Sequence, residues 1–216
     1  MLKADVLARI CDQRIIALSS VDNAEQLQVR AEALAAGGIH CLELSMTCPA
    51  VPDFIAATTK AMPDFFFGVG TIVDTDTARR AILAGARFLS TPAVRPEVIL
   101  LCRRHHVPVI CGVNSRSEIA AAIEAGADAI KLYPSQDDFG PAYVRDIRAE
   151  FPTVKLFPVG GVTAANAVEF IHVGADAVFV ASGLRPLDAP VDFDPTQLST
   201  RARELVIALA PVASER

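Results

Sequence analysis

The sequence predicts an α/β protein: a (β/α)8 TIM barrel with an extra N-terminal helix. Short apolar runs alternate eight times with segments rich in helix formers, and parallel strands need such crossover helices between them. A repeat runs through the alternation. Ala36-Gly37-Gly38, Ala84-Gly85-Ala86, Ala125-Gly126-Ala127 and Val173-Gly174-Ala175 each end a helix just before a strand. The successive intervals between Gly37, Gly85, Gly126 and Gly174 are 48, 41 and 48 residues, each the span of two strand–helix units. Eight units within 216 residues, with no linker or composition break, argue for one domain over 1–216 and for closure rather than an open sheet.

Each element has its own signal. Residues 2–12 carry apolar positions at helical spacing, Arg14 to Leu18 forms the first strand, and Ser19 to Asn23 supplies turn and N-cap residues. Helical Ala24 to Ala36 ends at Gly37-Gly38 and leads into the strand Ile39 to Leu44. Pro49 is expected to open the next helix from its first position. Phe65 to Val69 is a strand running into Gly70-Thr71, and Asp74 caps the helix after it. Strands then recur at Phe88–Ser90, Pro108–Ile110, Ala129–Tyr133, Val154–Val159 and Ala177–Val180. His105-His106 closes a helix where cations are favoured.

Composition narrows the function classes. A hydrophobic content of 52% with 21% charged residues marks a compact globular chain. A net charge of -5 gives no basic face for nucleic acid, and no apolar run approaches the roughly 20 residues that span a bilayer. No signal peptide is visible. The five cysteines (Cys11, Cys41, Cys48, Cys102 and Cys111) are odd in number and unpatterned, with neither a disulfide framework nor zinc spacing. They place the chain in a reducing, cytoplasmic setting.

Barrel active sites lie at the C-terminal ends of the strands. There the sequence offers Ser19, Glu43, Gly70-Thr71, Thr91-Pro92, Gly112–Asn114, Lys131, Gly160-Gly161 and Ala181-Ser182. Lys131, one of four lysines, interrupts an otherwise apolar strand closed by Pro134. Most strand lysines bury the stem and send the charge to solvent or to a carboxylate. An amine kept in apolar surroundings can instead lose its proton and attack carbonyl carbon. Glu43 is the one glutamate placed inside a strand, near its end like Lys131. The two form either a structural ion pair or a Schiff-base amine with its proton shuttle. Gly160-Gly161-Val162-Thr163 and Ala181-Ser182-Gly183 follow the seventh and eighth strands, where barrel loops often bind phosphate. Ordinary turns would also use glycine there.

Leu42-Glu43-Leu44-Ser45, Gly68-Val69-Gly70-Thr71-Ile72, Ser90-Thr91-Pro92, Ile130-Lys131-Leu132-Tyr133-Pro134 and Pro158-Val159-Gly160-Gly161-Val162 together resemble a known family. It is the 2-keto-3-deoxy-6-phosphogluconate/4-hydroxy-2-oxoglutarate (KDPG/KHG) aldolases, and the likeness runs from about Ile15 to Leu184. The resemblance implies a class I aldolase, a lyase that releases pyruvate from a 2-keto acid substrate without metal or other cofactor. It makes Lys131 the imine-forming amine and Glu43 the general acid/base. Thr71 would hold the keto-acid carboxylate, Pro92 and Tyr133 would wall the pyruvate pocket, and Gly160, Gly161 and Ser182 would cradle a distal phosphate. It also implies a homotrimer.

Val159 stands where phosphogluconate members usually carry threonine, which resembles the 2-dehydro-3-deoxy-6-phosphogalactonate branch. Tyr133-Pro134-Ser135 and Phe139-Gly140-Pro141 resemble that branch too. The chain departs from the family at two places. Family members commonly hold the carboxylate with an arginine, at positions filled here by Ser19 and Thr47, and Ala181 replaces a usual phosphate-loop glycine. Two other readings stand beside the aldolase. One is a phosphate-binding barrel isomerase or synthase that uses the glycine loops but not Lys131, and the other is a barrel that binds keto acid or sugar phosphate without turnover.

Overall fold

The computed structural model describes residues 2–19, 24–133, 140–184 and 194–210. Eight parallel strands run β1 (Ile15–Ser19), β2 (Cys41–Ser45), β3 (Phe66–Gly70), β4 (Phe88–Thr91), β5 (Val109–Val113), β6 (Ala129–Leu132), β7 (Leu156–Pro158) and β8 (Val178–Val180). Their order is β7-β6-β5-β4-β3-β2-β1-β8. The ring closes through a single parallel bridge, Val159 to Phe179. Helices α2 (Ala24–Ala36), α3 (Val51–Ala61), α4 (Thr75–Ala84), α5 (Pro96–Arg104), α6 (Arg116–Ala125), α7 (Gly140–Glu150), α8 (Ala167–His172) and α9 (Pro195–Leu209) cover the outside. The fold is an α/β TIM barrel.

Two apolar clusters follow from the strands' period of two. Ile16, Cys41, Phe66, Phe88, Ile110, Ala129, Phe157 and Phe179 fill the barrel interior. Their neighbours Ala17, Leu42, Phe67, Leu89, Val109, Ile130, Leu156 and Val178 pack outward against the helices. The additional helix α1 (Lys3–Gln13) sends Val6 and Ile10 into the interior cluster. It is tied down by Lys3, whose ammonium lies 2.6 Å from Asp128. Asp128 also accepts the Val109 N–H at 2.8 Å, so one carboxylate joins helix and strand. Stepping two residues along from the interior apolar positions brings Glu43, Gly68, Ser90, Gly112, Lys131 and Val159 to the same face at the opposite end. The register aligns Glu43 with Gly68 and Gly112 with Lys131.

Several boundaries differ from expectation. Arg14, expected as the first strand residue, is the left-handed C-cap of α1, with φ 60°. Pro49 does not open α3: the helix begins at Val51, and Pro52 takes the first-turn position. Val154 and Lys155 precede β7 rather than belonging to it, and Tyr133 lies just past β6. Asp74 does cap α4, accepting the Thr77 N–H at 2.8 Å. Pro134, Ser135 and Phe139 lie outside the described residues, as do 20–23. Among the described residues no helix is long and apolar enough to cross a membrane.

Candidate active site

Lys131 and Glu43 meet across the barrel. The ammonium Nζ donates to Glu43 Oε1 at 2.7 Å, and both side chains are largely shielded from solvent. Two further groups bracket the amine: Ser90 Oγ at 3.5 Å and the face of Phe179, whose centroid lies 4.2 Å from Nζ. A cation over an aromatic face is stabilised by the ring quadrupole. Glu43 Oε2 is buried and has no hydrogen-bond partner among the described residues. The two carboxylate oxygens therefore differ: one holds the amine, and the other is unengaged among the described residues.

Missing side chains make room for this pair. A Cβ on Gly70 would stand 2.3 Å from Glu43 Oε1, and one on Gly68 would lie 2.1 Å from the Phe88 ring. Gly112 lets the β4–α5 connection approach, with the Thr91 carbonyl 2.7 Å from where its Cβ would be. These glycines are spacers for the carboxylate, the core ring and the loop respectively.

A cavity of about 260 Å³ opens above the amine, lined by Leu18, Thr71, Ser90, Thr91, Pro92, Gly112, Lys131, Tyr133 and Val159. The structure therefore brings five of the expected residues (Lys131, Thr71, Pro92, Tyr133 and Val159) around one space, with Glu43 buried beside the amine. Tyr133 is largely exposed at the rim, whereas Val159 is buried. Two thiols lie close to this machinery. Burial, and then the Glu43 charge, push the Cys41 thiol far up. Burial also raises Cys111, against the hydroxyl of Thr91 donating to its sulfur at 3.5 Å. Both stay protonated near neutral pH.

The glycine loops are placed differently. Gly160 and Gly161 are both left-handed, with φ 101° and 66°, a conformation that favours glycine at each position. Asn166 pins this loop: its amide donates to the Gly161 carbonyl at 3.0 Å and its Oδ1 accepts the Thr163 N–H at 2.8 Å. Ser182 begins a short 3-10 turn, Ser182–Leu184. It does not line the Lys131 cavity. It borders a second one, of about 690 Å³, with Thr163, Thr200 and Arg201. Ser19, at one of the positions where an arginine is usual, has its Oγ buried without a hydrogen-bond partner among the described residues.

Three contributors went unread in the sequence: Ser90, Phe179 and Asn166. Ser90 lay within a recognised motif, and its polarity inside an apolar strand was the available signal. Phe179 and Asn166 carried none, since an aromatic in a strand and an asparagine before a helix are both commonplace.

The KDPG and KHG aldolase family model matches residues 6–195. A 2-dehydro-3-deoxy-phosphogluconate aldolase of Pseudomonas aeruginosa is 32% identical over 171 residues, covering 79% of this chain and 77% of that one. The solved native KDPGal structure superposes with a TM-score of 0.83 at 25% identity, covering 94% of this chain and 96% of its own. So does the KDPG aldolase of Legionella pneumophila, whose structure holds pyruvate captured at low pH as a covalent carbinolamine. It matches at TM-score 0.83 and 26% identity, over 93% of this chain and 97% of that one. A barrel of this topology with a lysine and a glutamate paired inside its mouth, matched along almost its whole length, belongs to the KDPG and KHG aldolase family.

Proposed function

We propose that Lys131 is the imine-forming amine of this class I aldolase and Glu43 its general acid/base. The carrying observation is the 2.7 Å contact between them beneath the cavity. Transfer of the ammonium proton to Glu43 leaves a neutral amine, which attacks the keto carbon of a 2-keto-3-deoxy sugar acid. The carbinolamine oxygen leaves as water with a proton from the carboxyl, giving an iminium. The C3–C4 bond then breaks as the C4 hydroxyl loses its proton to the carboxylate. Its electrons enter the iminium to give an enamine, and the aldehyde departs. Protonation of the enamine and hydrolysis return pyruvate and free Lys131. Each proton taken is later given back, so one carboxylate serves throughout.

Thr71 reads the keto-acid carboxylate at the cavity wall, and Pro92 and Tyr133 shape the pyruvate pocket. Gly160, Gly161 and Ser182 take the distal phosphate. Val159 presents no hydroxyl to the sugar portion, which supports acceptance of the phosphogalactonate-derived epimer, with glyceraldehyde 3-phosphate as the aldehyde. The protein assembles as a homotrimer: exposed Leu83, Leu100 and Ile123 on the consecutive helices α4, α5 and α6 offer apolar surface for packing. Sedimentation showing a monomer at micromolar concentration would refute the trimer. All five cysteines are free thiols, which supports a reducing, cytoplasmic setting.

The test is borohydride reduction in the presence of pyruvate, read by intact mass and peptide mapping. The expected result is one irreversible adduct on Lys131, lost in Lys131→Arg because a guanidinium stays protonated. An arginine variant that still cleaves substrate would refute the imine mechanism.

A further inference from the structure

Thr71 is a β-branched residue with a φ of 59°, a region such residues rarely occupy. Strain of this kind persists only where the surroundings enforce it. Here both flanks are clamped: the Gly70 carbonyl accepts the Met46 N–H at 3.0 Å, and the Ile72 N–H donates to the Ser90 carbonyl at 3.1 Å. The backbone is held so that Thr71 borders the Lys131 cavity. Its hydroxyl is the end of a chain. Thr71 Oγ1 lies 3.2 Å from Ser45 Oγ, which lies 2.8 Å from Thr47 Oγ1. The Thr47 N–H also points at Ser45 Oγ, at 3.4 Å.

We propose that Ser45 and Thr47 are positioning residues that orient the Thr71 hydroxyl as a donor to the substrate's carboxylate. The inference rests on the keto-acid reading above. A hydroxyl has one proton and two lone pairs. Ser45 Oγ accepts the Thr47 N–H, which leaves it one acceptor site and one proton for its two hydroxyl neighbours. The chain therefore has two polarities. Running from Thr71 toward Thr47, it consumes the Thr71 proton. Running from Thr47 through Ser45 to Thr71, it leaves that proton aimed at the cavity, and each bond polarises the next. An anionic carboxylate selects the second polarity. A three-hydroxyl relay thus becomes a receptor for the keto acid, with two members that never touch it.

The experiment measures half-saturating pyruvate in borohydride trapping, and KM for glyceraldehyde 3-phosphate in the condensation direction. Ser45→Ala is expected to raise half-saturating pyruvate about tenfold, the scale of one charge-assisted hydrogen bond. The trapping rate at saturating pyruvate falls by less, and the aldehyde KM stays near its starting value. Ser45→Thr, which keeps the hydroxyl, restores pyruvate binding to within about threefold of wild type on the same scale. Thr47→Val, at an exposed position that tolerates change, raises half-saturating pyruvate by about threefold, half of that free energy. The proposal is overturned if Ser45→Ala and Thr47→Val leave pyruvate binding unchanged, or if they weaken pyruvate and aldehyde alike. A wild-type protein that forms no pyruvate adduct would instead remove the Schiff-base reading, and this relay with it.

Discussion

Gly70→Ala is a methyl group aimed at the proposed proton shuttle. Gly70 has no left-handed φ, so alanine fits its backbone without strain, and the whole effect is steric. The added Cβ would sit 2.3 Å from Glu43 Oε1 and 2.6 Å from Cδ, where ordinary contact begins near 3.4 Å. The carboxylate must therefore retreat by about 1 Å, which opens its 2.7 Å contact with Lys131. Misplacement on that scale costs about 10²-fold, and complete loss of general acid/base function costs 10²–10⁴-fold, so kcat should fall by roughly 10²–10³. Gly68→Ala, two residues earlier, is the control. Its Cβ would meet the Phe88 ring at 2.1 Å, and that ring is fully buried. Overpacking there costs about 1–3 kcal/mol, or several degrees in Tm, with a smaller effect on kcat. Single-turnover cleavage and thermal melts on both variants separate the two. Should Gly70→Ala keep kcat within threefold of wild type, Glu43 is a structural partner of Lys131 and not its proton shuttle.

Further outcomes follow from other parts of the site. Glu43→Gln should keep pyruvate slowly trappable and lower turnover about 10²–10⁴-fold, and unchanged turnover would contradict the acid/base role. Val159→Thr should shift kcat/KM toward the gluconate-derived epimer by roughly 1–2 kcal/mol, one net hydrogen bond, and a ratio that stays put would show that stereochemistry is read elsewhere. Asn166→Ala frees the Gly161 carbonyl and the Thr163 N–H. It should raise KM for phosphorylated substrate about tenfold while leaving pyruvate trapping intact, and equal losses in both assays would count against the loop's role. Burial, with the Asp128 charge second, pushes the Cys102 thiol up to about 12 from its ordinary 9.0. A raised thiol contributes stability that is whole below pH 9 and lost as pH climbs toward 12. Cys102→Ala should therefore flatten the alkaline fall in Tm, and an unaltered slope between pH 9 and 11 would refute this.

The barrel was legible because its signal is local and repeated. The helices α2, α4, α6 and α8 each end just before a glycine, and each strand is a short apolar run, so errors such as Pro49 for Pro52 shift a boundary without changing an element. The site was legible only in part, for a reason built into parallel sheets. Their strands are apolar on both faces, so the alternation that separates inside from outside leaves no trace in the pattern. Ser90 and Thr91 show the consequence. Both are polar and almost fully buried, one after the other in β4. Ser90 faces inward to Lys131, while the hydroxyl of Thr91 goes to Cys111 in the outer cluster. Nothing in their adjacency says which of them belongs to the chemistry. Only polar exceptions betray the inner face, and Glu43 and Lys131 were found because a charge in such a strand needs a partner. That they are each other's partner, 88 residues apart, is a fact of closure. Phe179 is set beneath the amine by the same closure, through the Val159–Phe179 bridge that joins the last two strands. The ring therefore couples the barrel's single-bridge seam to the Lys131 nitrogen, and an aromatic residue there serves packing and electrostatics together.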